Sequence, residues 1–233
     1  MTGSAATRLL AREAVAGGWW LVRLVWKGPA ALPGQYLDAT LGGRRLILPA
    51  HAASHREGWL AALLEPALGG VLEALPAGCT GECRLGGEGV EPGDGPPRRL
   101  LLLGRDAGIG PALAFAEAHP EAVGFAALGG EQGVPGRIQP SRFLIPGLPG
   151  AVMGALAALE GLGVVSRVAH PAGRPGCFEG QPEELLARYV EDRAPAQAQG
   201  LEVIAFGPAG TEESLRSRLG DRVGRLRVVE LPG

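Results

Sequence analysis

The sequence predicts an α/β plus β fold: a β-rich first hundred residues, then a doubly wound parallel sheet. Three observations carry this. Segments rich in aromatic and β-branched residues, separated by Gly and Pro turns, fill the first hundred residues. Glu91-Pro92-Gly93-Asp94-Gly95-Pro96-Pro97 is the clearest linker in the chain. Beyond it, strand patterns alternate with helix patterns, the signature of a parallel sheet with ligands at the carboxyl ends of its strands. The expected division is therefore residues 1–97 and residues 98–233.

In chain order, Trp19–Trp26 reads as a strand by its content, and Lys27-Gly28-Pro29 ends it. Pro33-Gly34-Gln35-Tyr36 is a turn feeding a second strand. Leu41-Gly42-Gly43-Arg44 reads as a hairpin turn, with Arg45–Leu48 as the third strand. Trp59–Leu64 fits strand or helix equally by period. A short helix over Leu68–Leu75 and a strand at Cys83–Leu85 complete the first part. In the second part the expected strands are 99–103, 122–128, 142–145, 164–168, 201–206 and 226–229, and the expected helices 112–118, 151–160, 182–191 and 211–219.

Composition narrows the function. A chain of 233 residues that is 46% hydrophobic can bury a core in one large or two small domains. A net charge of −2 argues against a general nucleic-acid or anionic-membrane binder. Lys27 is the only lysine, so a single Arg carries little information in this arginine-biased chain. The N-terminus has no apolar signal core, and the longest apolar stretch, residues 151–165, is too short to span a bilayer. A soluble, cytoplasmic protein is expected. Cys79, Cys83 and Cys177 form no disulfide framework, and two thiols at Cys79 and Cys83 without further ligands make no metal site.

The chemistry-bearing stretch is Leu100–Pro111. A run of four leucines ends in Gly104-Arg105-Asp106-Ala107-Gly108-Ile109-Gly110-Pro111, and helix follows. A strand, a glycine turn and a helix start present backbone N–H groups to a phosphate, and Pro111 suits a first helical position, where its missing N–H costs nothing. Nucleotide binding is the reading these residues favour. Glu131 follows the second strand of this part, where a carboxylate can hydrogen-bond a ribose diol and repel a 2′-phosphate, which favours NADH over NADPH.

The order of motifs resembles the ferredoxin–NADP⁺ reductase superfamily, in size closest to flavin reductases and to the electron-transfer subunit of dihydroorotate dehydrogenase. Pro33-Gly34-Gln35-Tyr36 resembles the family's Pro-Gly-Gln-Phe, residues 106–111 its Gly-Thr-Gly-Ile-Ala-Pro turn, and Phe206-Gly207-Pro208 its Cys-Gly-Pro turn beside the nicotinamide. Gly176–Gly180 stands where many members carry Gly-x-Val-Thr. The resemblance implies an N-terminal antiparallel flavin-binding β-barrel, a C-terminal NAD(P)-binding domain, FAD or FMN with NADH as cofactors, and a redox partner protein. It places Tyr36, Arg45, Leu46, Ile47, Gly86 and Gly87 at the flavin. It places Gly108, Ile109, Gly110, Pro111, Glu131, Phe206, Gly207 and Pro208 at the dinucleotide.

Departures touch both sites. The family's Arg-x-Tyr-Ser/Thr is Arg45-Leu46-Ile47-Leu48 here, so the ring-covering aromatic and the hydroxyl are missing. Asp106 replaces the first glycine of the diphosphate turn, Phe206 replaces the cysteine, and Gly86-Gly87-Glu88-Gly89 carries an acid in a loop expected to meet phosphate. No four-cysteine cluster follows the second domain. Two readings stand: a flavin-dependent NADH oxidoreductase or electron-transfer subunit, and a non-catalytic descendant serving as a binding or assembly module. His51 and His55 read as a polar surface pair, and Trp19, Trp20 and Trp26 as barrel core rather than a stacking platform. Without Gly-x-Ser-x-Gly, serine hydrolysis is disfavoured.

Overall fold

The structure, a computed structural model, describes residues 4–93 and 99–232. The expected boundary between residues 97 and 98 lies outside the described residues, as does most of the Pro/Gly linker. The first part is a closed six-stranded antiparallel barrel. Its strands are β1 (Ala5–Ala14), β2 (Trp20–Val25), β3 (Tyr36–Leu41), β4 (Arg44–Ser54), β5 (Trp59–Leu64) and β6 (Thr80–Gly86), with a short helix α1 (Gly69–Glu73) between the last two. Around the barrel they run β1-β2-β5-β4-β3-β6. Period-two burial builds it: Leu46, Leu48 and Ala50 of β4 point inward with Leu37, Ala39 and Leu41 of β3, while Arg45 and Ile47 stay partly exposed. Gly42 and Gly43 take φ of 54° and 78° in the β3–β4 turn, as a two-residue hairpin requires.

Two points in the barrel go beyond the sequence reading. Trp59–Leu64 is a strand, resolved by pairing with both β2 and β4. Strand β1 was not anticipated, because only Thr7 in it is β-branched. Pairing with β2 on one side and β6 on the other makes it the strand that closes the barrel.

The second part holds β7 (Leu100–Arg105), α2 (Ile109–Ala118), β8 (Val123–Gly129), β9 (Ile138–Pro140), β10 (Gly154–Leu156), α3 (Ala157–Gly161), β11 (Ser166–His170), β12 (Phe178–Glu179), α4 (Pro182–Glu191), α5 (Pro195–Gln199), β13 (Glu202–Pro208), α6 (Thr211–Leu219) and β14 (Arg225–Leu231). A six-stranded parallel sheet runs β12-β11-β8-β7-β13-β14. Its order reverses between β7 and β13, so their carboxyl ends form the switch point where ligands of such sheets bind.

Between β8 and β11 the structure corrects the expectation. Residues 142–145, expected as a strand, are irregular, and residues 151–160, expected as one helix, form β10 and only four helical residues. The cause is Arg167, buried at 1% exposure on β11. Its guanidinium donates to the carbonyls of Val152, Ser166 and Phe143 at 2.8, 2.7 and 2.6 Å. The Phe143 and Val152 carbonyls, drawn from two separate segments to this one buried cation, fix the path of the chain around it.

The two parts share one hydrophobic core. Trp19, Leu63 and Val90 from the barrel side pack with Ile109, Leu113, Phe115 and Phe206. Helix α2 lies across β4 and β5, and the His51 Nδ1–H donates to the Gly110 carbonyl at 3.2 Å. On the other flank, a Cβ at Gly34 would come within 3.1 Å of the Phe206 ring. Trp26 belongs to the barrel core, its indole donating to the Pro29 carbonyl at 2.8 Å.

Glycine makes the junction of β7, α2 and β13 close-packed. A Cβ at Gly108 would sit 2.1 Å from the Phe206 carbonyl oxygen and 2.6 Å from the Gly207 nitrogen. Gly108→Ala is therefore expected to cost about 3 kcal/mol, roughly 10 °C in Tm. Gly43→Ala, at a positive φ of 78° with open space around it, is expected to cost about 1 kcal/mol. Thermal unfolding of the two variants checks this; equal Tm values would show that the junction is loose.

Candidate functional site

Beyond the Ala50–Ala62 pair, β4 and β5 part company. Residues 44–49 of β4 pair only with β3, and Leu63 and Leu64 of β5 pair only with β2. The gap is a cavity of about 400 Å3. Arg45, Leu46, Ile47 and Pro49 form one wall, and Leu63, Leu64 and Glu65 the other. Ala67 and Leu68 line it before α1, while Ala107 and Pro232 reach it from the second domain. The size, the apolar walls and the few polar groups are those of a small-molecule site. The parted strand edges also leave backbone groups with no ladder partner across the gap, which the rim of a planar heterocycle can use. Open depressions elsewhere, at the start of α6 and between α4 and α5, are lined largely by surface charges.

Two charged side chains line the cavity. Arg45 is largely exposed and gives both prongs of its guanidinium to Asp38, at 2.8 and 3.0 Å. That fork holds the Asp38 carboxyl below its usual range, with Arg84 adding to it. Glu65 has no such cation. Burial, with the Asp106 carboxylate adding to it, pushes its pKa up to about 7.

The second candidate region is the carboxyl edge of the parallel sheet. Asp106 has a φ of 48°, the left-handed conformation that the first glycine of such a turn would adopt freely. Its carboxylate reaches sideways to the end of β8, where one oxygen accepts the Glu131 backbone N–H at 3.0 Å. A Cβ at Gly130 would lie 1.8 Å from that oxygen, so only glycine fits there. Burial raises the Asp106 pKa, against the pull of the Glu131 N–H and Arg105. Arg105 pairs with the fully buried Glu183 at 2.9 Å and with Asp106 at 3.4 Å. Nearby, His170 accepts the Ala172 N–H at Nδ1 at 3.0 Å, which leaves the proton on Nε2, and burial lowers its pKa. The His170 Nε2, one Glu183 oxygen and the Gln181 amide oxygen are buried without a hydrogen-bond partner among the described residues.

The structure sorts the sequence candidates. Arg45, Leu46 and Ile47 meet at the cavity. Tyr36 does not line it; the Tyr36 ring covers Gly86 and Gly87 instead, 3.0 Å from where a Cβ on either would stand. Gly108, Ile109, Gly110 and Pro111 are buried in packing, with Gly110 facing Leu63 of the barrel. Phe206 is a fully buried core residue beside Phe115, the packing role suited to the end of a buried strand. Gly207 makes room for Thr211, whose hydroxyl donates to the Pro208 carbonyl at 2.7 Å. Glu131 is exposed just past the carboxyl end of β8. His51 is on a strand and ties the barrel to α2, so the His51–His55 spacing makes no shared helical face. Among the described residues, no cluster of His, Cys, Asp and Glu could hold a metal. Sequence reasoning missed Pro49, Leu63, Leu64 and Glu65. The one available signal was the apolar run 59–64 ending in Glu65-Pro66.

No family model matches the chain, and no curated protein matches it in sequence. Solved structures do match. The Amycolatopsis cytochrome P450 reductase GcoB is 17% identical with a TM-score of 0.69, over 100% of this chain and 72% of that one. Phthalate dioxygenase reductase is 15% identical with a TM-score of 0.59, over 97% and 68%. The FAD/NAD-binding domain of the Vibrio cholerae nitric oxide dioxygenase is 13% identical with a TM-score of 0.62, over the full length of both. A closed barrel sharing its core with a parallel sheet, parted at β4 and β5, is thus the two-domain fold of ferredoxin-reductase-type FAD/NAD-binding domains.

Proposed function

We propose that the protein is a flavin-dependent oxidoreductase or electron-transfer module that takes FAD (or FMN) in the barrel cavity and NADH as its reductant. The observation that carries this is the apolar cavity between the parted β4 and β5, with Arg45 and Ile47 directed to it. A flavin held there would take up reducing equivalents from NADH as hydride and hand them on to a redox partner protein. The chain supplies the rest. Ile47, Pro49 and Leu63 would hold the ring and keep water from it. Arg45, held in place by Asp38, would meet a flavin phosphate at the cavity mouth.

For the dinucleotide, the open part of the sheet edge is acidic. Glu131 can accept from ribose hydroxyls and, with Asp106, repels a 2′-phosphate, which favours NADH over NADPH. Asp106 stands where a diphosphate would approach the β7–α2 turn, so NADH binding is expected to be weak. The alternative, a non-catalytic descendant of the fold, is favoured by one observation: Gly108 to Pro111 and Phe206 are all spent on packing.

Purified protein incubated with FAD and desalted is expected to retain flavin absorption that bleaches on adding NADH without air. Retained flavin that NADH does not bleach points to a flavin-only module. No flavin and no nucleotide binding leaves the assembly reading. Ile47→Tyr, which restores an aromatic to the cavity wall, is expected to tighten FAD binding about fivefold, from roughly 1 kcal/mol of stacking. Asp106→Gly suits the positive φ and removes a carboxylate, so NADH affinity is expected to rise; an unchanged titration would show that Asp106 does not oppose the dinucleotide.

A further inference from the structure

Glu65 is the feature of the cavity that neither fold nor motif accounts for. It ends β5 and is held at the rim by its own turn, where its carbonyl accepts the Leu68 N–H at 3.0 Å. Its carboxyl has no hydrogen-bond or ion-pair partner among the described residues. We propose that Glu65 sets which ligands the cavity accepts: as a neutral carboxylic acid it donates to an uncharged heterocyclic ring, and as a carboxylate it excludes one. This rests on the reading of the cavity as a flavin-ring site.

The argument is geometric first. A ring filling a cavity of about 400 Å3 displaces the water that solvates Glu65. A carboxylate left there without a cation is costly, whereas a protonated one offers an O–H to ring nitrogen or carbonyl acceptors. The charged groups on every facing element bear this out. On β4, Arg45 is committed to Asp38, and His51 to the Gly110 carbonyl. On the β7–α2 connection stands Asp106, whose negative charge opposes ionisation of Glu65, with Arg105 turned to Glu183 and Asp106. Among the described residues, the remaining walls, from Leu63, Leu64, Ala67, Leu68 and Pro232, carry no charged side chain. A pKa near 7 in the empty cavity puts the switch at physiological pH.

The sign follows from linkage. Ring binding favours the protonated acid, so the pKa of Glu65 rises further on binding. Affinity is full below the free-state value and is lost as pH climbs through it. FAD is the probe, because neither its diphosphate nor its ring changes charge near neutrality. Titrated by flavin fluorescence, the wild type is expected to bind about tenfold more weakly at about pH 8 than at about pH 6. Glu65→Gln keeps a neutral donor and is expected to bind equally at both pH values, near the wild-type strength at low pH. Glu65→Leu gives a second pH-independent variant if the first folds poorly. Asp106→Asn is expected to move the wild-type transition to lower pH. A flat wild-type profile, or a pH dependence that survives in both Glu65 variants, overturns the role of Glu65 and leaves the flavin reading standing. No FAD binding by any protein at either pH overturns both.

Discussion

The close packing of the β7–α2 turn against β13 and the barrel is the constraint on which the other features depend. Gly104 lets Ala112 and Leu128 approach β7, Gly108 lets the turn touch the Phe206–Gly207 backbone, and Gly110 lets α2 touch Leu63 of β5. A Cβ at Gly104 or Gly108 would push α2 and its turn off β7 and β13, and one at Gly110 would crowd Leu63 of β5. Of the glycines that read as a phosphate cradle, Gly110 thus seats α2 on the barrel and Gly108 seats the turn on β13. Both uses need the same residue, since each demands backbone approach at a distance that a side chain forbids.

The shared core has an electrostatic counterpart. Glu65 from the barrel, Asp106 from the turn and Glu131 from the next strand end place three carboxylates along one seam, while Arg105 is drawn off to Glu183. Protons, hydrogen bonds and the 3.4 Å pair of Asp106 with Arg105 relieve that concentration of charge. Burial raises both Glu65 and Asp106, and Asp106 takes the Glu131 N–H. A seam of this kind suits an uncharged ring better than a dianionic phosphate, which is why the cavity and the sheet edge lead to such different expectations for flavin and dinucleotide.

The overall architecture was legible because each half carries its own local code. Alternation in β3 and β4, the Gly42–Gly43 turn, and the leucine run into Gly104 are short-range patterns, and the structure follows them. The region between β8 and β11 was not legible, because its shape is set by Arg167, whose three carbonyl partners include Phe143 and Val152 far back along the chain. Strand β1 was hidden for a similar reason. Its residues show little intrinsic preference, and its place is decided by two neighbours that already exist.

The site divides in the same way. The sequence alone determined the fold class and the two-part order, because hydrophobic period and glycine placement are properties of neighbouring residues; Arg45 to Ile47 were singled out by family resemblance alone. Tertiary structure decided that β4 and β5 part beyond the Ala50–Ala62 pair, that Glu65 completes the opposite wall, that Phe206 belongs to the core, and that Asp106 turns toward Gly130. Each of these depends on contact between segments distant in the chain, where burial and the field of neighbouring charges, not local propensity, set conformation and protonation.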